Sequence, residues 1–444
     1  MSEPFDDAGA RAVLRAWAGL AVGALAIAGL FALLLAASRV PGLGSALPWP
    51  AAFFDKGLVI HVIFSFVVWY LAVLAILLHR AAPAGPGGML GAGAATVAAA
   101  LLFVPAFLDR GEPTLNNYIP VIIDPVFYGG LILLASVITV LAMRLLIARR
   151  RDLLPADPSA LAVNAAAVLF LLAMTSIAIA AWHLGGATPS HAFNEDLFWG
   201  GGHVLQFANV ALMIAVWLLL ARAAFGDTLC PPSVVKVAVA VLLLCGFLGP
   251  LFYLVMKPFA ADQTQAFTDL QYALAPPVLI VAGGLAIGLW RRRPWPWADP
   301  AFLCLVLSAI VFAIGGVLGL FVDGADTRTP AHYHGVIAGI NIAFMGLFHC
   351  TVLPLTRRPG PRPSRVRLQV WLFAIGQTIA SLGLFWAGGH GAPRKTFGEA
   401  KGVEEIGAIV GLYMNGVGAA IAVVGGVMFI WTVAAALLRP ETRH

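Results

Sequence analysis

The chain has 444 residues, of which 61% are hydrophobic and only 11% charged, with a mean hydropathy of +0.92. A surface so poor in charge excludes a water-soluble globular protein. The net charge of +6 comes without any nucleic-acid motif, so a nucleic-acid partner is not expected. Four cysteines, Cys230, Cys245, Cys304 and Cys350, show no CxxC spacing, which excludes a disulfide framework and a thioether haem attachment; they read as small buried apolar residues.

Runs of roughly 20 apolar residues, the length a helix needs to cross a bilayer, recur twelve times. They fall at about 14–38, 57–79, 87–108, 121–146, 159–182, 198–221, 234–256, 270–290, 300–321, 333–355, 367–388 and 406–437. The first follows the mixed-charge stretch MSEPFDDAGARAVLR and is too long for a signal-peptide core, so it reads as a retained span. With the N-terminus inside, 19 of the 27 Lys and Arg residues fall in inner segments and 8 in outer ones. By the positive-inside rule both termini are therefore cytoplasmic. No polar linker is long enough for a soluble domain, and residues 1–444 read as a single membrane domain. Loops 39–56, 109–120, 183–197, 257–269, 322–332 and 389–405 lie outside; the inner loops RRRPWPW and RRPGPRPSRVR are basic, as lipid-headgroup contact requires.

Histidines enter at a regular place. His61 in the second span, His203 in the sixth, and His332 with His334 in the tenth each lie a few residues inside the outer end of an apolar run. Ionisable rings inside a bilayer are costly to bury and mark binding or redox sites. At about 1.5 Å per residue, His61, following Asp55-Lys56, and His334, six residues after Arg328, reach comparable depth. Together they would give one haem two axial imidazoles. His332 and His334 are two apart, about 200° of helix rotation, so one helix can serve two haems, His332 being the proximal ligand of the second. His203 would then face that haem's open side. Spans two, six and ten are four helices apart, which suggests three four-helix arcs about a pseudo-threefold axis, although no residue-level repeat accompanies them.

The stretch HYHGVIAGINIAFMGLFHC, with H-x-H near the start of the tenth of twelve spans, resembles subunit I of the haem-copper oxidase superfamily; ADTRTPAHYHG and FWAGGHGAPRK add local similarity. The superfamily takes in cytochrome c oxidases, quinol oxidases and the large subunits of nitric oxide reductases. The resemblance implies an all-α polytopic membrane bundle of twelve transmembrane helices with that pseudo-threefold plan. It makes His61 and His334 the low-spin haem ligands, His332 the high-spin haem ligand, and His203 the first ligand of a copper or non-haem iron. Two departures stand out. The family's adjacent histidine pair at the outer end of the seventh span is replaced by Leu251 and Phe252 within GFLGPLFYLVMKP, and its tyrosine four residues after the sixth-span histidine is replaced by Phe207. One imidazole is a poor copper site. The sequence leaves His203 open between a metal ligand and a polar distal-pocket residue. Gln206, Asp262, Gln265 and Asp269 are the substitutes near it, with Tyr253 or Tyr272 as a source of a phenol. Arg328, Arg394 and Lys395 would pair with haem propionates, against simple solvated loop charges. His79 and His349, near inner helix ends, read as structural interfacial histidines; His183, His191 and His390 fall in outer loops. Gly201-Gly202 before His203 would allow close haem approach or ordinary helix packing.

The implied activity is a dihaem membrane oxidoreductase that passes electrons from the low-spin to the high-spin haem, where oxygen or nitric oxide is reduced. An alternative is a divergent electron-transfer, gas-sensing or partner subunit without the copper site. The donor would be another subunit, a soluble cytochrome or quinol, and the membrane a bacterial-type inner (cell) membrane, with the haem side outward. The inner halves of the spans are almost bare of Asp, Glu and Lys, whereas Asp124, Glu195 and Asp196 are near the outer side, so proton supply is expected from outside.

Overall fold

The computed structural model describes residues 7–38, 53–82, 87–322, 326–394 and 405–441. Lys395, and Arg39, Lys401 and Arg443 of the charge count, lie outside these residues. Twelve helices are long and apolar enough to span a membrane: α1 (Ala8–Leu35), α2 (Phe54–Ala81), α3 (Gly87–Phe107), α4 (Pro125–Ala148), α5 (Pro158–Leu184), α6 (His191–Phe225), α7 (Pro232–Val255), α8 (Ala261–Trp290), α9 (Pro300–Gly319), α10 (Arg328–Leu355), α11 (Pro363–Gly389) and α12 (Ile406–Leu438). The expected spans are all present, each within a few residues except at the outer ends of α6 and α8. Three of the helices open on the same signal. Asp124-Pro125, Asp157-Pro158 and Asp299-Pro300 each place a carboxylate on the first free backbone N–H groups, Val126, Ala160 and Ala301 among them, with a proline where no N–H is needed.

Two outer segments expected as loops are helical. α6 starts at His191 because the Ser190 hydroxyl accepts the Phe193 N–H at 3.1 Å, capping the helix two turns earlier than hydropathy alone suggests. Glu195 and Asp196 consequently lie in the first turns of α6, where the positive end of the helix favours carboxylates. Asp262, Gln265 and Asp269 belong to the opening helical stretch Ala261–Leu270 of α8. A third outer segment forms an antiparallel hairpin, β1 (Glu112–Thr114) with β2 (Val121–Ile123), registered Glu112 to Ile123, Pro113 to Ile122 and Thr114 to Val121.

The chain forms two compact units. Among the described residues, the first comprises 7–35, 53–82, 87–215 and 230–288, the second 36–38, 216–229, 289–322, 326–394 and 405–441. In the first, small residues let backbones meet: a Cβ on Gly130 of α4 would press on the Ala98 carbonyl and Leu102 of α3 at 3.0 Å. In the second, α9 and α10 pack glycine on glycine at Gly315 and Gly335, and α11 and α12 do so through Gly376, Gly383, Gly411 and Gly418. With no hydrophobic gain from lipid, such close backbone contact is what holds membrane helices together. A polar chain adds to it: the Trp217 indole donates to the Ser308 hydroxyl at 2.8 Å, which donates to the Gly339 carbonyl at 2.7 Å.

The histidine-bearing helices are the interior ones. The central windows of α6, α2 and α10 are 94%, 78% and 67% buried, ahead of every other span. Two of them, α2 and α10, also carry a π-helical turn, at Ile63–Val68 directly after His61 and at Phe348–Val352. Such bulges cluster at functional positions because the extra residue re-aims neighbouring side chains.

Candidate functional site

His203 is 1% exposed and held at both ring nitrogens. Nδ1 lies 2.8 Å from the Trp199 carbonyl one turn back on α6, and Nε2 lies 2.8 Å from the Tyr118 hydroxyl at the tip of the β-hairpin. A carbonyl can only accept, so Nδ1 carries the proton; in the neutral ring Nε2 then accepts from the Tyr118 O–H. Aromatic rings close around it, with centroids 4.6 Å (Tyr118), 5.0 Å (Trp199) and 5.8 Å (Phe267) away.

The hairpin loop is tied in place. Asn194 Nδ2 donates to the Thr114 hydroxyl at 3.1 Å, and Asn116 Nδ2 to the Ile119 carbonyl at 2.6 Å. Glu195 accepts from the Asn117 backbone N–H at 3.0 Å and its side-chain amide at 2.6 Å. Burial, with the Glu195 carboxylate nearby, pushes the phenol's pKa above its ordinary value. Tyr118 therefore stays a neutral donor. Sequence reading passed over it because it lies 85 residues from His203 in an outer loop. The signal available was the triplet Gly200-Gly201-Gly202: a Cβ on Gly202 would run into the Tyr118 ring, one on Gly201 into Ile177, and one on Gly200 into Phe267 and the Tyr253 hydroxyl. The glycines thus serve helix packing and the approach of Tyr118.

Tyr253, expected as the phenol, is buried, with its hydroxyl so close to Gly200 that a Cβ there would fall 2.6 Å from it. It lies nearer the outer surface than His203 and, with Glu195, Asp196, Gln263 and Phe267, lines a cavity of about 80 Å³. Asp262, Gln265, Asp269 and Tyr272 are outside the buried set. The His203 ring is bonded to Trp199 and Tyr118 rather than to any of these substitutes.

His61 and His332 share an anchoring pattern. Nδ1 of His61 is 2.9 Å from the Ala28 carbonyl on α1, and Nδ1 of His332 is 2.8 Å from the Gly315 carbonyl on α9. Each bond selects the tautomer whose lone pair is on Nε2 and fixes the ring plane, as in metal-bound histidines. His332 lies flat on the backbone of α9, where a Cβ at Gly319 would fall 2.5 Å from its Nδ1. His334, two residues on, is exposed beside Tyr333, ring centroids 5.1 Å apart. The two rings of the H-x-H pair therefore project differently, as the helical spacing requires. These residues suit axial haem ligation. They do not suit a copper centre: among the described residues no three His, Cys, Asp or Glu side chains converge to hold a metal.

The outer charges are largely paired within the protein. Arg328 forms a two-pronged ion pair with Asp326, Nε at 3.1 and 2.8 Å and Nη2 at 2.7 Å, and Arg394 follows the bridge of Asp326 to Pro393. Lys56 meets Asp109 at 2.7 Å and Arg110 meets Asp124 at 2.9 Å. His390 contacts Glu405 at 2.6 Å; His183 and His191 are exposed. His79 and His349 are buried, 2% and 9% exposed, rather than interfacial as the sequence suggested, because α2 and α10 are interior along most of their length.

Known proteins bear on this arrangement. The chain is 30% identical over 344 residues to an uncharacterized protein of Aquifex aeolicus, covering 74% of this chain and 82% of that one. It is 28% identical over 262 residues to a cytochrome c oxidase subunit 1 of Thermus thermophilus, covering 52% and 44% of the two. Its fold superposes on a haem-copper terminal oxidase solved as a dimer by cryo-EM, with a TM-score of 0.75 at 15% identity over 99% of this chain and 86% of the other. Residues 12–428 match the profile of Cytochrome C and Quinol oxidase polypeptide I. With twelve spans, histidines on the three most buried of them and a match over nearly its whole length, this multi-pass membrane protein belongs to the cytochrome c and quinol oxidase polypeptide I family.

Proposed function

We propose that the chain is a dihaem membrane oxidoreductase reducing oxygen or nitric oxide. The observation that carries this is the shared anchoring of His61 and His332, each with Nδ1 bonded to a backbone carbonyl on a neighbouring helix. Such a bond puts the proton on Nδ1 and the lone pair on Nε2, the tautomer an axial ligand uses. In this reading His61 and His334 hold one haem and His332 the other. Haem held there would supply the one-electron couple, and the haem on His332 would be the one to take the gas.

The protein's own residues orient the imidazoles, exclude water through the burial of α2, α6 and α10, and brace the outer segments with the Arg328–Asp326 and Lys56–Asp109 pairs. Arg328, held by Asp326, and Arg394 are the residues that would meet haem propionates. Protons come from the outer face, where Glu195 and Asp196 open α6. Electrons come from a separate subunit, a soluble cytochrome or quinol, and the chain resides in a bacterial-type inner (cell) membrane with this side outward.

Pyridine haemochrome assay and reduced-minus-oxidised spectra of the purified protein test the assignment. Two haems per chain are expected. His61→Ala is expected to abolish the low-spin signal and leave the high-spin one, and His332→Ala the converse, each with gas consumption slowed by roughly 10²-fold or more, the scale of loss on disturbing a metal's ligand environment. Unchanged spectra in both variants would overturn the reading.

A further inference from the structure

We propose that His203 is not a metal ligand in this chain but one half of a metal-free phenol–imidazole pair with Tyr118, which acts as its positioning residue. The bonding decides it. Nδ1–H is committed to the Trp199 carbonyl, and the lone pair on Nε2, the only one a metal could use, accepts the Tyr118 O–H at 2.8 Å. The ring's bonded partners are a carbonyl and a hydroxyl, with no carboxylate, so a buried imidazolium would go uncompensated and the ring is neutral.

The surrounding rings of Trp199 and Phe267 offer no lone pair to a metal, the Tyr118 hydroxyl is engaged by Nε2 itself, and among the described residues no three His, Cys, Asp or Glu side chains cluster to hold one. Tyr118 is seated by its own loop rather than by filling a gap: four hydrogen bonds fix that loop, and Gly202 has no Cβ where the ring passes. Its single proton is given to His203. The pair holds one transferable proton between Oη and Nε2, at the inner tip of a loop whose outer edge is bordered by Glu195.

The role of the pair in catalysis rests on the oxidoreductase reading above, whereas its bonding does not. The test keeps the two apart. Wild type, Tyr118→Phe and His203→Gln, purified from cells grown with added copper and iron, are analysed for haem and for total copper and iron. The expected result is iron equal to haem and copper at background in all three. About one copper or non-haem iron per chain, lost in His203→Gln, would overturn the proposal; absence of haem would instead overturn the oxidoreductase reading, with the metal count still deciding His203. Solid-state nitrogen NMR spectra of histidine-labelled protein supply a second readout. Subtraction of His203→Gln assigns the ring, and a protonated Nδ1 with an Nε2 resonance that moves in Tyr118→Phe is expected. An Nε2 resonance indifferent to Tyr118→Phe would overturn the pair even with no metal present.

Discussion

At the scale of single residues, what matters at the histidines of the spans is which nitrogen carries the proton. His61, His203 and His332 all bond Nδ1 to a backbone carbonyl, and they differ in what Nε2 meets; for His203 it is a phenol. Glycines make two of these placements possible. A methyl group at Gly202 would occupy the space of the Tyr118 ring, and one at Gly319 would press on His332. Gly202→Ala is expected to displace Tyr118 and cost roughly 1–3 kcal/mol, the usual penalty of overpacking, read as a lowered thermal midpoint in detergent. Gly319→Ala is expected to lose the high-spin haem signal while keeping the low-spin one; retention of both would separate His332 from haem binding. Neither effect was legible beforehand. Gly202 was read as a packing or cofactor residue, since nothing local to it names the ring that arrives from a distant loop.

The helical elements begin where short signals say and pack where glycines allow. The three Asp-Pro starts are local and legible, and Asp124 shows what they contribute: it caps α4 through Val126 at 2.8 Å and pairs with Arg110 at 2.9 Å. Asp124→Ala is expected to cost about 1–2 kcal/mol, chiefly the cap, because an ion pair with a half-exposed arginine adds little. A thermal midpoint equal to wild type would show that the hairpin alone positions α4. The β-hairpin was missed for a physical reason. Strands of three residues have no periodicity to read, and this hairpin persists because Asn194 and Glu195 of α6 bond its loop. The helical start of α6 was missed too, as hydropathy cannot see a cap such as Ser190 when the first two turns are polar.

For the molecule as a whole, the basic loops lead to the expectation that both termini are cytoplasmic. Thr188→Cys is expected to react with a membrane-impermeant maleimide in intact cells and Asp152→Cys only after permeabilisation; the reverse pattern would invert the topology. The native thiols leave a low background, Cys230 and Cys304 being buried and burial raising the Cys230 pKa to about 11. By itself the sequence determined the number of apolar spans, the family and the place of His61, His203, His332 and His334 along their spans. Bilayer thickness sets helix length, the cost of bare backbone in lipid forces helices, and a helix turns the position of a residue in its span into depth. Tertiary structure alone decided which groups surround those histidines. Tyr118 reaching His203, the carbonyls of Ala28 and Gly315 fixing two other rings, and Asp326 pairing with Arg328 all depend on close approach or hydrogen-bond direction. Hydropathy carries neither, because it averages over just the few polar atoms whose placement decides the chemistry.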